Sequence, residues 1–227
     1  MIYSIATIKQ WNIKNAWQLK QSRPQDDIRI ITDKAELTTK NLAGAEYVFF
    51  PHWSHIIPAE IYENFTCIVF HMTDLPFGRG GSPLQNLIVR GFEETKISAL
   101  RVEKELDGGP VYMKSRLYLH GTAEEIYIRA SEIIFKDMIP YILDNNPQPL
   151  PQSGEVTAFK RRKPADSELN EKMTLKQIYD HIRMLDAESY PPAFVTFGDY
   201  VMEFTHPKLT ARGIVADVTI RRRDENV

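Results

Sequence analysis

The first half of the chain alternates short apolar runs with longer stretches of mixed character. Ile2–Ile8, Ile28–Ile31, Tyr47–Phe50 and Thr66–Phe70 are apolar on both faces, the pattern of strands buried in a parallel sheet. Trp11–Gln21, Lys34–Leu42 and Ile56–Asn64 lie between them and have helical length. This alternation predicts an open α/β sheet with right-handed crossovers. After His71 the pattern breaks into a loop rich in Gly and Pro, Met72 to Pro83. Ser82 and Pro83 suit the N-cap and first residue of a helix ending near Gly91. Thr95–Val102 and Val111–Leu119 read as strands joined by Glu103–Pro110. Thr122-Ala123-Glu124-Glu125 is a capping box opening a long helix, with Ile126, Tyr127, Ala130, Ile133, Ile134 and Met138 on one face. Pro140 should kink or end it.

The Pro-rich stretch Asn145–Gly154 is the best domain boundary, dividing the chain into residues 1–150 and a small C-terminal domain, 151–227. That annex reads as α+β. A second capping box, Thr174–Gln177, opens a helix to about Leu185, and strands follow at Ala193–Phe197, Tyr200–Phe204 and Ile214–Arg221.

Composition narrows the function classes. With 28 Lys+Arg against 30 Asp+Glu and a net charge of -2, the chain does not look like a general polyanion binder. No run approaches the roughly 18 apolar residues of a membrane span. Met1–Ile5 reads as a strand rather than a signal peptide. The single cysteine, Cys67, excludes an internal disulfide and a multi-cysteine zinc site. These points favour the cytoplasm and no membrane partner.

Several residues are candidates for chemistry. His71 ends a buried strand, where ligand sites of open α/β sheets lie, and an imidazole there can act as acid or base. A core histidine satisfied by a backbone carbonyl is an equally good reading. Asp107 before Gly108-Gly109 can start a turn, or orient His71 if the two meet. Gly78-Arg79-Gly80-Gly81 matches neither a Walker loop nor the dinucleotide fingerprint. Arg79 can bind an anion or pair with a carboxylate. Pro51–His55 follows the third strand, and its aromatic residues can wall a flat heteroaromatic ligand. A metal between His52 and His55 lacks a third ligand. Cys67 reads as a core residue. Lys160–Lys163 and Arg221–Arg223 read as solvated charge, weak evidence for nucleic acid.

The run from His71 to Pro110 resembles the folate-dependent formyltransferases. His71, Thr73-Asp74-Leu75-Pro76, Arg79-Gly80-Gly81-Ser82-Pro83, Gln85 and Leu106-Asp107-Gly108-Gly109 match that family's motifs in order and spacing. The resemblance implies a Rossmann-like open sheet, the donor N10-formyltetrahydrofolate and an amine acceptor. It implies a catalytic Asn/His/Asp set in which His71 and Asp107 are the second and third members. Val69 stands where the asparagine should be, and valine cannot donate to the oxyanion. By the same resemblance the folate lies near Trp53, Ser54, His55, Ile56 and Ile57, and near Leu100, Glu103, Glu105, Leu106 and Asp107. Met72, Thr73, Asp74, Pro76, Phe77, Gly78, Arg79, Gly80 and Gly81 are then the acceptor-binding loop.

Among the family's branches, the short annex, Ile182-Arg183-Met184 and Tyr190–Phe194 look most like sugar N-formyltransferases. The expected acceptor is therefore a CMP- or UDP-linked amino sugar, the pseudaminic-acid branch included, with no nucleic-acid partner. The methionyl-tRNA branch usually carries a larger C-terminal domain. A formyltransferase acting on an aminoacyl or peptidyl carrier or on methionyl-tRNA, and a non-catalytic folate- or nucleotide-binding protein, are the alternatives. Whether the chain is a dimer is left open.

Overall fold

The structure, a computed structural model, describes residues 1–188 and 190–223. In chain order the elements are β1 (Ile2–Ala6), α1 (Gln10–Ser22), β2 (Asp27–Ile31), β3 (Tyr47–Phe50), α2 (Ala59–Tyr62) and β4 (Cys67–His71). Then come β5 (Arg79–Gly80), α3 (Pro83–Val89), β6 (Glu94–Arg101), β7 (Val111–Tyr118), α4 (Ala123–Ile133) and α5 (Ile139–Asn145). The rest is β8 (Ala158–Phe159), α6 (Leu175–Arg183), β9 (Ala193–Phe197), β10 (Tyr200–Thr210) and β11 (Gly213–Arg222). The chain divides into two compact units, one of residues 1–80, 95–117 and 128–158, the other of 81–94, 118–127 and 159–227.

The first unit is built on a six-stranded sheet in the order β2-β1-β3-β4-β6-β7. β1 pairs in parallel with β2 and β3, and β3 in parallel with β4, whereas β6 runs antiparallel to β4. Burial on both faces explains the continuous apolar runs. Tyr3, Ile5, Phe49, Ile68 and Leu100 are all at most 1% exposed. One face carries the cluster of Ala6, Ile31, Leu37, Val48, Phe50, Ile61 and Cys67, against which Trp53, Ile57, Val69 and Val102 pack.

Two predicted helices are much shorter than their sequence span. Lys34–Leu42 yields only a 3-10 turn over Lys34–Glu36. Asn41 donates its side-chain amide to Glu36 O and its backbone N–H to Thr38 Oγ1, so local side-chain bonds replace the helical ladder. Ile56–Asn64 is helical only from Ala59, because Pro58 sits at the N-cap and holds an extended backbone. Pro140 does not end its helix. Five residues of π-helix, Ile134–Met138, precede α5, and the wider turn accommodates a residue without an N–H.

The second unit joins α3, α6 and a three-stranded antiparallel sheet, β11-β10-β9. The Thr174 box forms as predicted, with reciprocal bonds to Gln177. β10 continues beyond Phe204 to Thr210, because a register shift between Thr205 and Lys208 accommodates Pro207. Ser82 and Pro83 take the expected N-cap and first positions of α3, but the Ser82 side chain makes no capping bond. Its backbone is left-handed (φ 52°) and its Oγ instead accepts from Arg162 N at 3.1 Å. Arg183, buried at the end of α6, pairs with Asp180 and donates to Leu119 O and Gly121 O. No helix among the described residues is long and apolar enough to cross a membrane.

Candidate functional site

β4 delivers His71 to the carboxyl end of the sheet, where the chain leaves regular structure. Its imidazole is 9% exposed, with Nε2 at 2.7 Å from Gly78 O and Nδ1 at 3.6 Å from Asp107 Oδ2. A carbonyl only accepts, so Nε2 carries a proton and Nδ1 is the atom left to exchange one. A backbone carbonyl satisfies His71, as the core reading expects, and the ring also faces the Asp107 carboxylate.

Asp107 likewise combines its two readings. It adopts a left-handed turn conformation (φ 53°), and its carboxylate also accepts from Gly80 N at 2.9 Å. The turn is tight, since a Cβ on Gly109 would lie 1.9 Å from Arg101 O. Arg79 takes the carboxylate reading, with Nη1 at 2.6 Å from Glu105 Oε1. Its Nε and Nη2 both donate to Gln152 Oε1, and Gln152 Nε2 donates to Asp107 O at 2.7 Å and Gly109 O at 2.8 Å. Gln152 thus ties the two loops together. Sequence reading missed it, because a glutamine in a Pro-rich linker carries no signal of its own.

The rest of the loop is held from beneath. Thr73, fully buried, gives its Oγ1 proton to Gly78 O, and Ser98 Oγ donates to Thr73 O and accepts from Leu75 N. Asp74 pairs with Lys114 at 2.6 Å and Lys96 at 2.9 Å. Burial alone would raise its carboxyl pKa, but the two ammonium groups outweigh it and hold the pKa below the usual range. Neither lysine carried a sequence signal.

The other expected contacts are dispersed. Met72, Pro76 and Gly78 are buried and Phe77 is half-buried, while Gly81 belongs to the second unit. Leu100 lies in the core at 1% exposure. Ser54, His55, Ile56, Glu103, Glu105 and Leu106 are exposed. Trp53 and Ile57 share the apolar cluster with Val69 and Val102, and Trp53 Nε1 is buried without a hydrogen-bond partner. An orphan donor beside apolar walls suits a flat heteroaromatic ring with acceptor atoms. His52 contacts Trp11 edge-on, and burial, reinforced by Lys9, holds its pKa down to about 4. Burial pushes the Cys67 thiol up to about 12, against a role as nucleophile. Among the described residues no group of three or more His, Cys, Asp or Glu is placed to hold a metal ion.

Comparison with known proteins gives this geometry a context. A family profile described as "Methionyl-tRNA formyltransferase, C-terminal domain" matches residues 164–221. A methionyl-tRNA formyltransferase of Sorangium cellulosum is 30% identical over 162 residues, covering 68% of this chain and 51% of its own. The chain spans about half the length of the curated relatives it matches. HypX from Aquifex aeolicus, solved with tetrahydrofolic acid, shares the fold at TM-score 0.76 but only 14% identity, over 98% of this chain and 44% of its own. A methionyl-tRNA formyltransferase from Clostridium thermocellum superposes at TM-score 0.96 with 55% identity.

These relatives correct the expected acceptor. The curated relatives and the clostridial structure, HypX apart, are named for methionyl-tRNA, which overturns the nucleotide-linked amino sugar and the absence of a nucleic-acid partner. The charge argument failed because net charge is a sum over the chain, whereas an RNA responds to the local field. Identity of 55% sustained over 98% of this chain and 99% of the clostridial one exceeds what a shared fold alone produces, and it places the chain in the formyltransferase family.

Proposed function

We propose that this protein transfers a formyl group from N10-formyltetrahydrofolate to the amino group of methionyl-tRNA. The observation that carries the reading is the near full-length match to the clostridial methionyl-tRNA formyltransferase, with the match of residues 164–221 in support. Residues 1–150 are assigned the donor site and the chemistry, residues 151–227 a part in holding the acceptor, and the cytoplasm is the proposed location.

The donor supplies the formyl carbon that the amine attacks. Trp53 and Ile57 are the proposed walls of its ring site, and the unused Trp53 Nε1–H is a donor for it. His71 Nδ1 accepts the proton released as the amine bonds to carbon and returns it to N10 as the C–N10 bond breaks and tetrahydrofolate leaves, and the Asp107 carboxylate 3.6 Å away balances the charge in between. The bond from His71 Nε2 to Gly78 O fixes the ring orientation throughout. Val69 offers no hydrogen bond to the developing oxyanion, so a backbone N–H serves there.

The test is direct. The protein is incubated with N10-formyltetrahydrofolate and methionyl-tRNA, and formyl-methionyl-tRNA and free tetrahydrofolate are measured together. Equal formation of both supports the reading. Folate binding without transfer to any charged tRNA would sink it.

A further inference from the structure

The run Lys160-Arg161-Arg162 reads in sequence as solvated charge, yet it is pinned in place. Gly81 packs so closely that a Cβ there would lie 2.6 Å from Arg161 Cβ. Asn86 Nδ2 donates to Gly81 O, Ser82 O and Lys160 O, and Arg162 N donates to Ser82 Oγ. The segment lines an open cavity of about 470 Å³ with Asn86 and His181. None of the three cations forms an ion pair with a carboxylate among the described residues.

Arg162 is the informative member. Its guanidinium donates to the Asp166 carbonyl, but its Nε is buried without a partner. Burial pulls its pKa below the usual arginine range, and the nearby Asp166 carboxylate offsets this only in part. Asp166 and Glu168 also line the cavity, but Asp166 Oδ2 is occupied by Lys163 N at 2.7 Å. A half-buried guanidinium with a spare N–H, flanked by two further cations in a polar cavity, suits a tetrahedral oxyanion.

We infer that this cavity is a phosphate subsite, filled in the working enzyme by a backbone phosphate of the acceptor RNA. The choice of RNA rests on the function proposed above, while the phosphate chemistry does not. The site is separate from His71 and Asp107 in sequence and in composition, so it serves binding rather than proton transfer.

The test uses the full chain and two variants, Arg162→Gln and the double variant Lys160→Gln/Arg161→Gln. The double variant keeps the Arg162 hydrogen bond and covers the case in which Arg162→Gln does not fold. Kinetics with methionyl-tRNA are read across a salt series, and pyrophosphate binding is read by calorimetry. The KM for methionyl-tRNA should rise roughly tenfold, the salt dependence should flatten by about one phosphate contact per cation lost, and the KM for the folate donor should stay. Pyrophosphate should bind the parent protein and not the variants. Unchanged KM and salt slope in both variants would overturn the RNA-phosphate site and leave the proposed function standing. Pyrophosphate binding that the variants lose, in a protein inactive on methionyl-tRNA, would uphold the phosphate site and defeat the acceptor assignment. A parent protein that binds neither tRNA nor pyrophosphate would overturn the inference outright.

Discussion

The loop beyond β4 and the cavity around Arg162 are both made of charged side chains, and they differ in how that charge is balanced. Around His71 each charge has an assigned partner: Asp107 has Gly80 N and the imidazole, Arg79 has Glu105 and Gln152, and Asp74 has two lysines. Around Arg162 three cations share a cavity with Asp166 and Glu168, and among the described residues none of the three forms an ion pair. The first arrangement fixes the position and protonation of a few atoms, as proton transfer requires. The second leaves positive charge exposed, as recognition of a polyanion requires.

The largest effects should break the balanced region. His71→Asn and Asp107→Asn should each lower kcat by about 10²–10⁴ with little change in thermal midpoint, measured by formyl transfer and calorimetry. A wild-type rate in either would show that the pair is structural. Gly109→Ala should follow, destabilising the fold by about 1–3 kcal/mol in urea unfolding, because its Cβ would meet Arg101 O. Activity should fall with it, as the same turn carries Asp107.

Gln152 sharpens the comparison. Gln152→Leu removes both carbonyl bonds and both contacts to Arg79, and should lower kcat about tenfold while leaving the KM for the acceptor unchanged. A rise in acceptor KM instead would mean that the clamp belongs to binding. The smallest effect concerns His52. Its folded pKa is about 4 against an ordinary 6.5, so the unfolded chain binds a proton that the folded chain refuses between those values. Stability is full above about pH 6.5 and falls on acidification towards about pH 4, by at most about 1.4 kcal/mol per pH unit. Urea unfolding near pH 7.5 and near pH 5 should show this slope, and His52→Asn should flatten it. An equal slope in the variant would assign the effect to other groups.

Much of this was legible from residue order. Apolar runs at β1 to β4 needed no partner to be recognised, because burial on both faces keeps most positions apolar, with Ser4 in β1 and Arg29 in β2 as exceptions. The Thr174 box closes within four residues, so local sequence contains all its parts. Ser82 holds its expected place at the N-cap of α3, but its hydroxyl makes no capping bond because it is taken by Arg162, a residue far along the chain. The candidate site divides in the same way. His71 and Asp107 were visible through motif spacing, whereas Gln152, Lys96 and Lys114 reach their partners only through the fold.

By itself, then, the sequence determined the α/β alternation, the strand end that carries His71, the turn that carries Asp107, and the valine in place of an asparagine. Each depends on side-chain type and on neighbours a few residues away. Only the tertiary structure decided that Arg79 is paired with Glu105 and hydrogen-bonded to Gln152 while Arg162 keeps a buried, unused N–H. The same residue type serves two ends because charge balance depends on which distant groups the fold brings within a few ångströms, and linear spacing does not encode that distance.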